Sequence, residues 1–301
     1  MIFPDGLRRC PAVDPDDYHL FVSLGCAAEN LAPAALAYGS KPNAILDENT
    51  AVKGATNGTI SGGMTGSVVC TLEPTRATNS PLFRAIAERQ FTRADYDAKP
   101  LTGDELRLLE RAGTGDGVNL RLITRRPAIE SVLEYALAAN TAQMNDPVFI
   151  SELKSGIRLS TDEALRTGDG LFASTSGSPA VPRWLGSPLM RLFSTVKPEN
   201  EKYARQIRNS AGIAVFVSNQ KDKRHWIETG RCYERFALQA AALGIRNAFS
   251  NQPIEVTAVR TQFSQWLELR GATQRPDLLV RFGLRPTAPF SMRRPVQAVL
   301  V

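Results

Sequence analysis

The feature that most constrains this chain is an internal repeat of one helical stretch. The stretch from Asp17 to Gly39 aligns without a gap with the stretch from Asp222 to Gly244, at an offset of 205 residues. Both stretches are rich in alanine and end in a glycine, which is typical of a long helix that packs closely on another helix. The offset is too long for a solenoid repeat. Either two alanine-rich helices are alike by chance, or the chain holds two related halves that pack like a dimer.

The two predicted halves differ in size. Only 16 residues precede Asp17, whereas a full set of helix and strand patterns precedes Asp222. We therefore predict an incomplete first half over residues 1–80 and a second half over residues 81–301. Apolar periodicity predicts helices in the second half over residues 81–90, 101–112 and 128–144. It predicts strands over residues 65–74, 119–124, 211–219 and 275–286.

Local signals support this assignment. Thr102 and Glu105 have the spacing of a capping box at the start of a helix. Residues 211–219 are a continuous apolar run, typical of a buried strand. Helix patterns outnumber strand patterns along the chain. The sequence therefore predicts an α+β fold in which helices surround small, mostly antiparallel sheets.

A long stretch at about residues 160–200 fits neither pattern. It is rich in glycine, serine and proline and also carries Phe172, Trp184 and Met190. Structureless stretches of this length in compact proteins are usually lids or binding loops. We therefore predict a lid-like excursion, with a disordered segment as the alternative.

Charge, cysteines and hydropathy exclude several classes of function. The net charge is +6, but the basic residues are spread along the chain, so no nucleic-acid partner is expected. The four cysteines form no C-x-x-C pair, and the two histidines have no metal-ligand spacing, so no metal site is expected. No apolar run approaches the roughly 18 residues of a membrane span, and the N-terminus has no signal-peptide core. We therefore expect a cytoplasmic protein with no membrane partner.

Arginine usage and the C-terminal tail suggest an anion. Arginines outnumber lysines 28 to 8, which fits recognition of phosphate or carboxylate or, alternatively, the codon usage of a GC-rich genome. Arg293 and Arg294 lie in an apolar tail that begins at Pro289. Termini usually fray, but this tail has apolar surface to bury. We expect it to pack on the protein through Val296, Ala298, Val299, Leu300 and Val301.

Four segments together resemble the nitroreductase superfamily, and within it the Acg-like FMN-binding oxidoreductases, which carry two nitroreductase-like halves in one chain. The segments are AIAERQFTRADY with Arg89 and Arg93, the two repeat helices, LGIRNAFSNQPIEVTAVR, and RPDLLVRFG with the following SMRRPVQAVL. Each motif alone is weak, whereas their order and spacing are fairly specific. The resemblance covers nearly the whole chain and is strongest from residue 205 to residue 301.

The resemblance implies FMN as cofactor. It places the FMN phosphate against Arg89, Arg93 and the Arg293–Arg294 pair. Since Arg89 and Arg93 are four residues apart, we expect them on one side of a helix. Arginine suits this role because its guanidinium group forms charge-assisted hydrogen bonds with phosphate.

The resemblance also implies a ring site. It places the turn of Ser250, Asn251 and Gln252, followed by Pro253, beside the isoalloxazine ring, whose polar edge needs a few donors and acceptors. No catalytic side chain is expected, because the flavin itself performs the hydride chemistry.

The chain differs from the family in two places. Phe91 stands where the family has a small hydroxyl residue, and the family's opening helix is missing before Asp17. One of the two potential flavin pockets is therefore incomplete in this chain.

The sequence leaves three functions open. The first is an FMN-dependent NAD(P)H oxidoreductase that acts on nitro compounds or quinones, with a small-molecule substrate and NAD(P)H as partners. The second is an inactive protein that binds or stores flavin in a lidded pocket. The third is a relative without a cofactor. The expected assembly is a monomer that forms an internal pseudo-dimer, or a homodimer.

Overall fold

The computed structural model describes residues 1–51, 65–176, 180–181, 195–271, 273–286, 290 and 294–300. These residues form an α+β fold, as predicted. The helices are α1 (Tyr18–Ala37), α2 (Pro81–Glu88), α3 (Gly103–Ala112), α4 (Arg126–Met144), α5 (Pro147–Gly156), α6 (Thr161–Thr167), α7 (Val196–Arg208), α8 (Lys223–Ala242), α9 (Gln252–Glu255) and α10 (Thr257–Trp266). The strands are β1 (Ser40–Ala51), β2 (Thr65–Pro74), β3 (Val118–Ile123), β4 (Ile157–Arg158), β5 (Leu171–Phe172), β6 (Gly212–Ser218), β7 (Ile245–Phe249) and β8 (Arg275–Leu284).

The main sheet has four antiparallel strands in the order β3-β6-β8-β7. Every residue of β6 is buried, because the apolar side chains of α4 and α8 share one core with this strand. The apolar run at residues 211–219 is therefore the buried strand that the sequence predicts. Strand β7 lies at one edge of the sheet, and the candidate site is built along this edge.

A separate hairpin follows α1. Strand β1 pairs antiparallel with β2, from Ser40 opposite Pro74 to Asp47 opposite Ser67. The sequence predicts β2 but not β1, because β1 contains Pro42 and lacks regular apolar alternation. Pairing with β2, rather than local preference, makes this segment a strand.

The two repeat helices, α1 and α8, pack directly on each other. A side chain added at Gly25 would overlap the backbone carbonyl oxygen of Ile227, and one added at Gly230 would overlap that of Val22. Under the 205-residue offset Gly25 corresponds to Gly230, and Val22 corresponds to Ile227. Each glycine therefore meets the same position of the opposite helix. The contact is therefore reciprocal, and the two glycines allow the backbones to touch.

Helix α1 is the one helix among the described residues that is long and apolar enough to cross a membrane, with a mean hydropathy of 1.4 over 18 residues. Its residues Tyr18, Phe21 and Leu24 are buried in the core shared with α8. Packing within the fold therefore accounts for part of its apolar surface, since 44% of this window is buried.

The C-terminal tail differs from the prediction. Val296 and Leu300 are 63% and 72% exposed, and Ala298 and Val299 are exposed as well. Over residues 294–300 the tail forms a 3-10 turn at Val296–Ala298, and this turn has no buried residue. So short a turn has no face broad enough to bury these side chains, and the expectation of apolar packing is wrong for residues 296–300. Val301 lies outside the described residues.

The excursion at about residues 160–200 is only partly described. Its first part forms α6, β5 and a 3-10 turn over Ala173–Ser176, and β5 pairs with β4 in parallel. Trp184 and Met190 lie outside the described residues. The lid therefore stays a prediction.

Candidate functional site

The segment after α2 runs along the free side of β7. Helix α2 ends at Glu88, and Arg89 already has an extended backbone. Phe91 forms a parallel bridge with Asn247, and the Thr92 amide donates to the Asn247 carbonyl over 3.0 Å. The prediction that Arg89 and Arg93 share a helix face is therefore wrong, because pairing with β7 ends the helix first.

The extended segment nevertheless brings the two arginines together. Their guanidinium carbons lie 5.6 Å (Arg89) and 5.3 Å (Arg93) from the centre of the Phe91 ring. Neighbouring residues in an extended chain point to opposite faces, so Arg89, Phe91 and Arg93, each two residues apart, share a face. Phe91 thus replaces the expected hydroxyl with an aromatic surface that both cations contact.

Arg89 and Arg93 differ in their charge partners. The Nε of Arg89 lies 2.8 Å from Oε1 of Glu234, a side chain that is only 1% exposed. Arg93 is half-buried and has no carboxylate or hydrogen-bond partner for its guanidinium group within the described ranges. Burial lowers the pKa of Arg93. The positive charge of Arg93 is therefore available for a ligand, whereas that of Arg89 balances a buried acid.

Arg93 lines a cleft of about 830 Å³. Its other lining residues come from the segment after Arg93, from α7 and from the end of β8; they are Ala94, Asp95, Tyr96, Asp97, Pro198, Glu199, Lys202, Arg205, Gln206, Arg285 and Pro286. The side-chain amide of Gln206 donates to the Arg93 carbonyl over 2.6 Å. This bond ties the segment that carries Arg93 to α7.

A third arginine at this edge, Arg281 of β8, was missed by the sequence analysis. It is 1% exposed. Its Nη2 donates to the carbonyls of Thr92 and Ala94 over 3.3 and 3.1 Å, and its guanidinium carbon lies 4.4 Å from the Tyr96 ring centre. Its Nη1 has no hydrogen-bond partner among the residues that the structure describes. The signal in the sequence was a lone arginine inside the apolar strand LLVRFG.

The turn predicted to contact a ring follows β7 on the same edge. The Phe249 ring lies 5.0 Å from the Phe91 ring. Asn251 Oδ1 accepts from the Leu279 amide over 2.8 Å, so Asn251 anchors the turn to β8. The buried Oγ of Ser250 and Oε1 of Gln252 have no hydrogen-bond partner among the described residues. The contacts of Ser250, Asn251 and Gln252 with a ring stay a prediction.

Two carboxyl groups lie near this turn, the buried Asp14 and the half-buried Glu255. Glu255 ends α9 and accepts from Gln143 Nε2 over 2.6 Å. Asp14 Oδ2 accepts from the backbone amides of His19 and Leu20 at the start of α1. Its Oδ1 has no hydrogen-bond partner in the described part of the chain. Burial raises the pKa of Asp14 to about 6 and that of Glu255 to about 7, and the Asp14 charge contributes to the rise for Glu255. Glu255 therefore gains its proton near neutral pH, and Asp14 gains its proton about one pH unit lower.

We expect Glu255→Gln to stabilise the protein at high pH. The wild-type carboxyl binds its proton more tightly when folded, so its stabilising contribution is present below pH 4.5 and is lost as the pH rises to about 7. A glutamine keeps an oxygen for Gln143 and carries no charge. Urea unfolding should show the variant more stable by about 1–3 kcal/mol at pH 8 and equal to wild type near pH 4.5.

Glu130→Gln is the control for this experiment, because Arg208 lowers the pKa of the exposed Glu130 through a hydrogen bond. At pH 8 the Glu130→Gln variant should be slightly less stable than wild type, the opposite of the effect expected for Glu255→Gln. A Glu255→Gln variant that is no more stable than wild type at pH 8 would contradict the prediction.

The tail arginines are placed elsewhere. Arg293 lies outside the described residues. Arg294 Nη1 is 3.9 Å from Asp5 Oδ2, and its Cγ lies near Gly168. Within the described ranges, no contact joins Arg294 to Arg89 or Arg93. That Arg293 and Arg294 contribute to a phosphate site therefore stays a prediction.

Comparison with known proteins identifies relatives. No protein-family model matches the chain. Over 281 residues, which cover 91% of this chain and 74% of the relative, it is 24% identical to a Mycobacterium tuberculosis protein named "Putative NAD(P)H nitroreductase Rv3131". The resemblance to the nitroreductase superfamily is confirmed. The counterpart from a second M. tuberculosis strain, MT3217, matches at the same identity and coverage.

Solved structures of nitroreductases are also similar. A nitroreductase with bound FMN from Desulfitobacterium hafniense matches with a TM-score of 0.47 and 12% identity, over 74% of this chain and 98% of that one. A nitroreductase with bound FMN from Bacteroides fragilis matches with a TM-score of 0.44 and 16% identity, over the same shares of the two chains.

Proposed function

We propose that the protein is an FMN-dependent NAD(P)H oxidoreductase of the Acg-like kind, acting on nitro compounds or quinones. One observation carries the proposal: the segment with Arg89 and Arg93 and the turn Ser250–Gln252 lie along the same edge of the sheet, at β7. The two motifs are more than 150 residues apart in the sequence. The similarity to NAD(P)H nitroreductases supports the same assignment.

The residues at this edge fit the proposed cofactor. When bound, FMN would supply the hydride chemistry. Arg93 offers a cation without a carboxylate partner, and Ser250 Oγ and Gln252 Oε1 are buried polar atoms without partners. In this proposal Arg93, Arg293 and Arg294 contact the phosphate, Arg89 lies beside it with its charge balanced by Glu234, and residues 250–252 contact the ring edge.

We also propose that the chain forms an internal pseudo-dimer of residues 1–80 and 81–301. The reciprocal contacts of Gly25 and Gly230 support it, because a two-fold axis between α1 and α8 would produce that exchange. Phe21 and Trp226 also correspond under the repeat, and their ring centres lie 6.1 Å apart. Only the second half carries the segment with Arg89, so one flavin per chain is expected.

A flavin-storing protein is the second candidate. One observation favours it: Ser250 and Gln252, the residues proposed to meet the ring, are 1% and 9% exposed. A ring that contacts residues so little exposed would be held away from solvent, which would hinder the access of a second substrate. Turnover of NAD(P)H therefore separates storage from catalysis.

We expect purified protein to bind FMN and to show a flavin absorbance band. Because Arg93 has no carboxylate partner in the described part of the chain, Arg93→Met should lower the affinity for FMN about ten- to a hundredfold, which corresponds to one lost charge-assisted contact. The affinity for riboflavin, which lacks the phosphate, should change little in this variant. Fluorescence titration of both ligands measures this difference. The control is Arg107→Met, an exposed arginine that pairs with Asp104.

Steady-state assays with NADH or NADPH and a quinone or nitroaromatic acceptor then test catalysis. Flavin binding without NAD(P)H oxidation would support the storage protein. A chain that binds neither FMN nor riboflavin would overturn both functions.

A further inference from the structure

A second cleft, with a volume of about 530 Å³, lies where β8 begins. Its lining residues come from the loop before α8, from α10 and from the segment that leads into β8; they are Gln220, Lys221, Asp222, Arg260, Thr261, Ser264, Thr273, Gln274 and Arg275. Each of these residues is polar or charged. The apolar ring of a quinone or a nitroaromatic compound would gain little from burial against such walls. The cleft therefore fits a small, strongly polar ligand.

This cleft is distinct from the candidate site at the β7 edge. Strand β7 pairs with residues 280–284 of β8, whereas Arg275, the first residue of β8, pairs with Ser218 of β6. Arg275 and Arg281 are six residues apart, which is about 20 Å in an extended strand. Among the described residues, none lines both this cleft and the cleft of Arg93. A ligand held at Arg275 is therefore not the phosphate group proposed to contact Arg93.

Arg275 is the buried residue of this lining, with 7% of its surface exposed. Its guanidinium carbon lies 4.1 Å from the centre of the Tyr18 ring, so the ring covers one face of the group. Its Nε lies 3.1 Å from Asp277 Oδ1. Within the described ranges, however, Nε, Nη1 and Nη2 all lack a hydrogen-bond partner. Because buried N–H donors without acceptors are costly, the Nη1–Nη2 edge indicates that an acceptor belongs in the cleft.

Arg260 supplies a second guanidinium group to the cleft. It lies on α10 and donates to the Ile254 carbonyl over 3.0 Å and to Thr257 Oγ1 over 3.3 Å. Burial and the charge of Arg275 both lower the pKa of Arg260, so the two cations lie close together. In the part of the chain that the structure describes, no carboxylate forms an ion pair with Arg260. An anion that contacts both guanidinium groups would relieve their repulsion.

The other charged groups of the cleft already have partners. Lys221 Nζ lies 2.8 Å from Asp16 Oδ2. Asp222 accepts from the backbone amide of His225 at the start of α8, and the ring Nδ1 of His225 lies 2.8 Å from the same oxygen. The Asp222 carboxylate would repel a ligand with several negative charges. The cleft therefore suits a ligand with one oxyanion group.

We propose that this cleft binds the oxyanion group, a carboxylate or a phosphate, of a small polar molecule through Arg275 and Arg260. The Nη1–Nη2 edge of Arg275 can donate to two oxygens of one oxyanion, and Arg260 adds a second cation. The hydroxyl-bearing residues Thr261, Ser264 and Thr273 line the same cleft and suit a ligand that carries hydroxyl groups. This site is independent of flavin binding and goes beyond the proposed function.

Calorimetric titration with glycerol 3-phosphate and with glycerate tests the site and distinguishes the two oxyanions. Both probes carry hydroxyl groups, and wild type should bind at least one of them at millimolar concentration while it does not bind glycerol. Arg260→Met should lower the affinity for that probe about tenfold or more, since one charge-assisted contact is lost. Arg107→Met, in which an exposed arginine paired with Asp104 is replaced, is the control and should bind as wild type does. Binding of neither probe, or equal binding to wild type and Arg260→Met, would overturn the proposal.

The Arg93→Met variant separates this cleft from the flavin site, because a phosphate probe also tests Arg93. This variant should keep the affinity that Arg260→Met loses. If Arg93→Met abolishes probe binding and Arg260→Met leaves it unchanged, the oxyanion site at Arg275 falls and the proposed flavin site stands. If Arg260→Met weakens the probe and wild type binds no flavin, the oxyanion site stands and the proposed function falls.

NMR on wild type tests Arg275 without a substitution, because Arg275→Met would leave Asp277 buried without its cation. The side-chain Nε–H signals of Arg275 and Arg260 should shift during titration with the probe that binds. The Nε–H signal of Arg107 should stay in place. If the signals of Arg275 and Arg260 both stay in place, the two arginines do not hold the oxyanion and the proposal is overturned.

Discussion

Replacing Gly230 by alanine is expected to destabilise the protein by about 3 kcal/mol, at the upper end of the usual cost of overpacking. The new Cβ would overlap the carbonyl oxygen of Val22 and crowd the amide of Cys26. Both neighbours are backbone atoms of α1, so no side chain can rotate away. The helices would have to separate, and the core between them would lose contacts. Urea unfolding measures the change in the free energy of unfolding.

Gly25→Ala tests whether the contact is reciprocal. Its Cβ would overlap the carbonyl oxygen of Ile227, so its cost should match that of Gly230→Ala. The double variant should cost much less than the sum of the two, because one separation of the helices relieves both overlaps.

Gly156→Ala is the control for the helix contact. Gly156 is the last residue of α5, and a Cβ there meets no atom within 4 Å. The substitution should be neutral or slightly stabilising, since alanine favours a helix over glycine. If the Gly230→Ala variant is as stable as wild type, α1 and α8 do not pack as described.

Local signals allowed much of the fold to be predicted. The Thr102–Glu105 capping box is formed, and helix α3 begins at the next residue after Thr102. The apolar run at 211–219 is the buried strand β6. The repeat predicted two equivalent helices, and both are present at the predicted positions. In each case the residues that carry the signal lie within one element, so propensity and packing agree.

Features that depend on distant partners were not predictable. The stretch AERQFTRADY has no glycine or proline to end a helix, and only pairing of Phe91 with Asn247 shows that α2 ends at Glu88. The sequence analysis assigned no role to Arg281, and in the structure its side chain is held by the carbonyls of Thr92 and Ala94 nearly 190 residues away. Both features belong to the candidate site. The site was therefore predicted less well than the fold around it.

Arg89→Met is expected to destabilise the protein by about 3–5 kcal/mol, the usual cost of removing one partner of a buried ion pair. Glu234 is 1% exposed and would lose the guanidinium group that lies 2.8 Å from its Oε1. Glu234→Gln on the Arg89→Met background removes the buried charge and should restore most of the lost stability. This double-mutant cycle isolates the pair from the general packing of both side chains.

The rescued double variant also shows what Arg89 does for a ligand. Because the charge of Arg89 balances Glu234, we expect the Arg89→Met/Glu234→Gln protein to prefer FMN over riboflavin nearly as strongly as wild type does. The resemblance to nitroreductases places Arg89 at the phosphate, which requires the opposite result: FMN affinity falls tenfold or more while riboflavin affinity is kept. Titration of FMN and riboflavin against the double variant decides whether Arg89 positions other groups or binds the phosphate itself. Because the double variant has regained its stability, a loss of FMN affinity cannot be caused by unfolding.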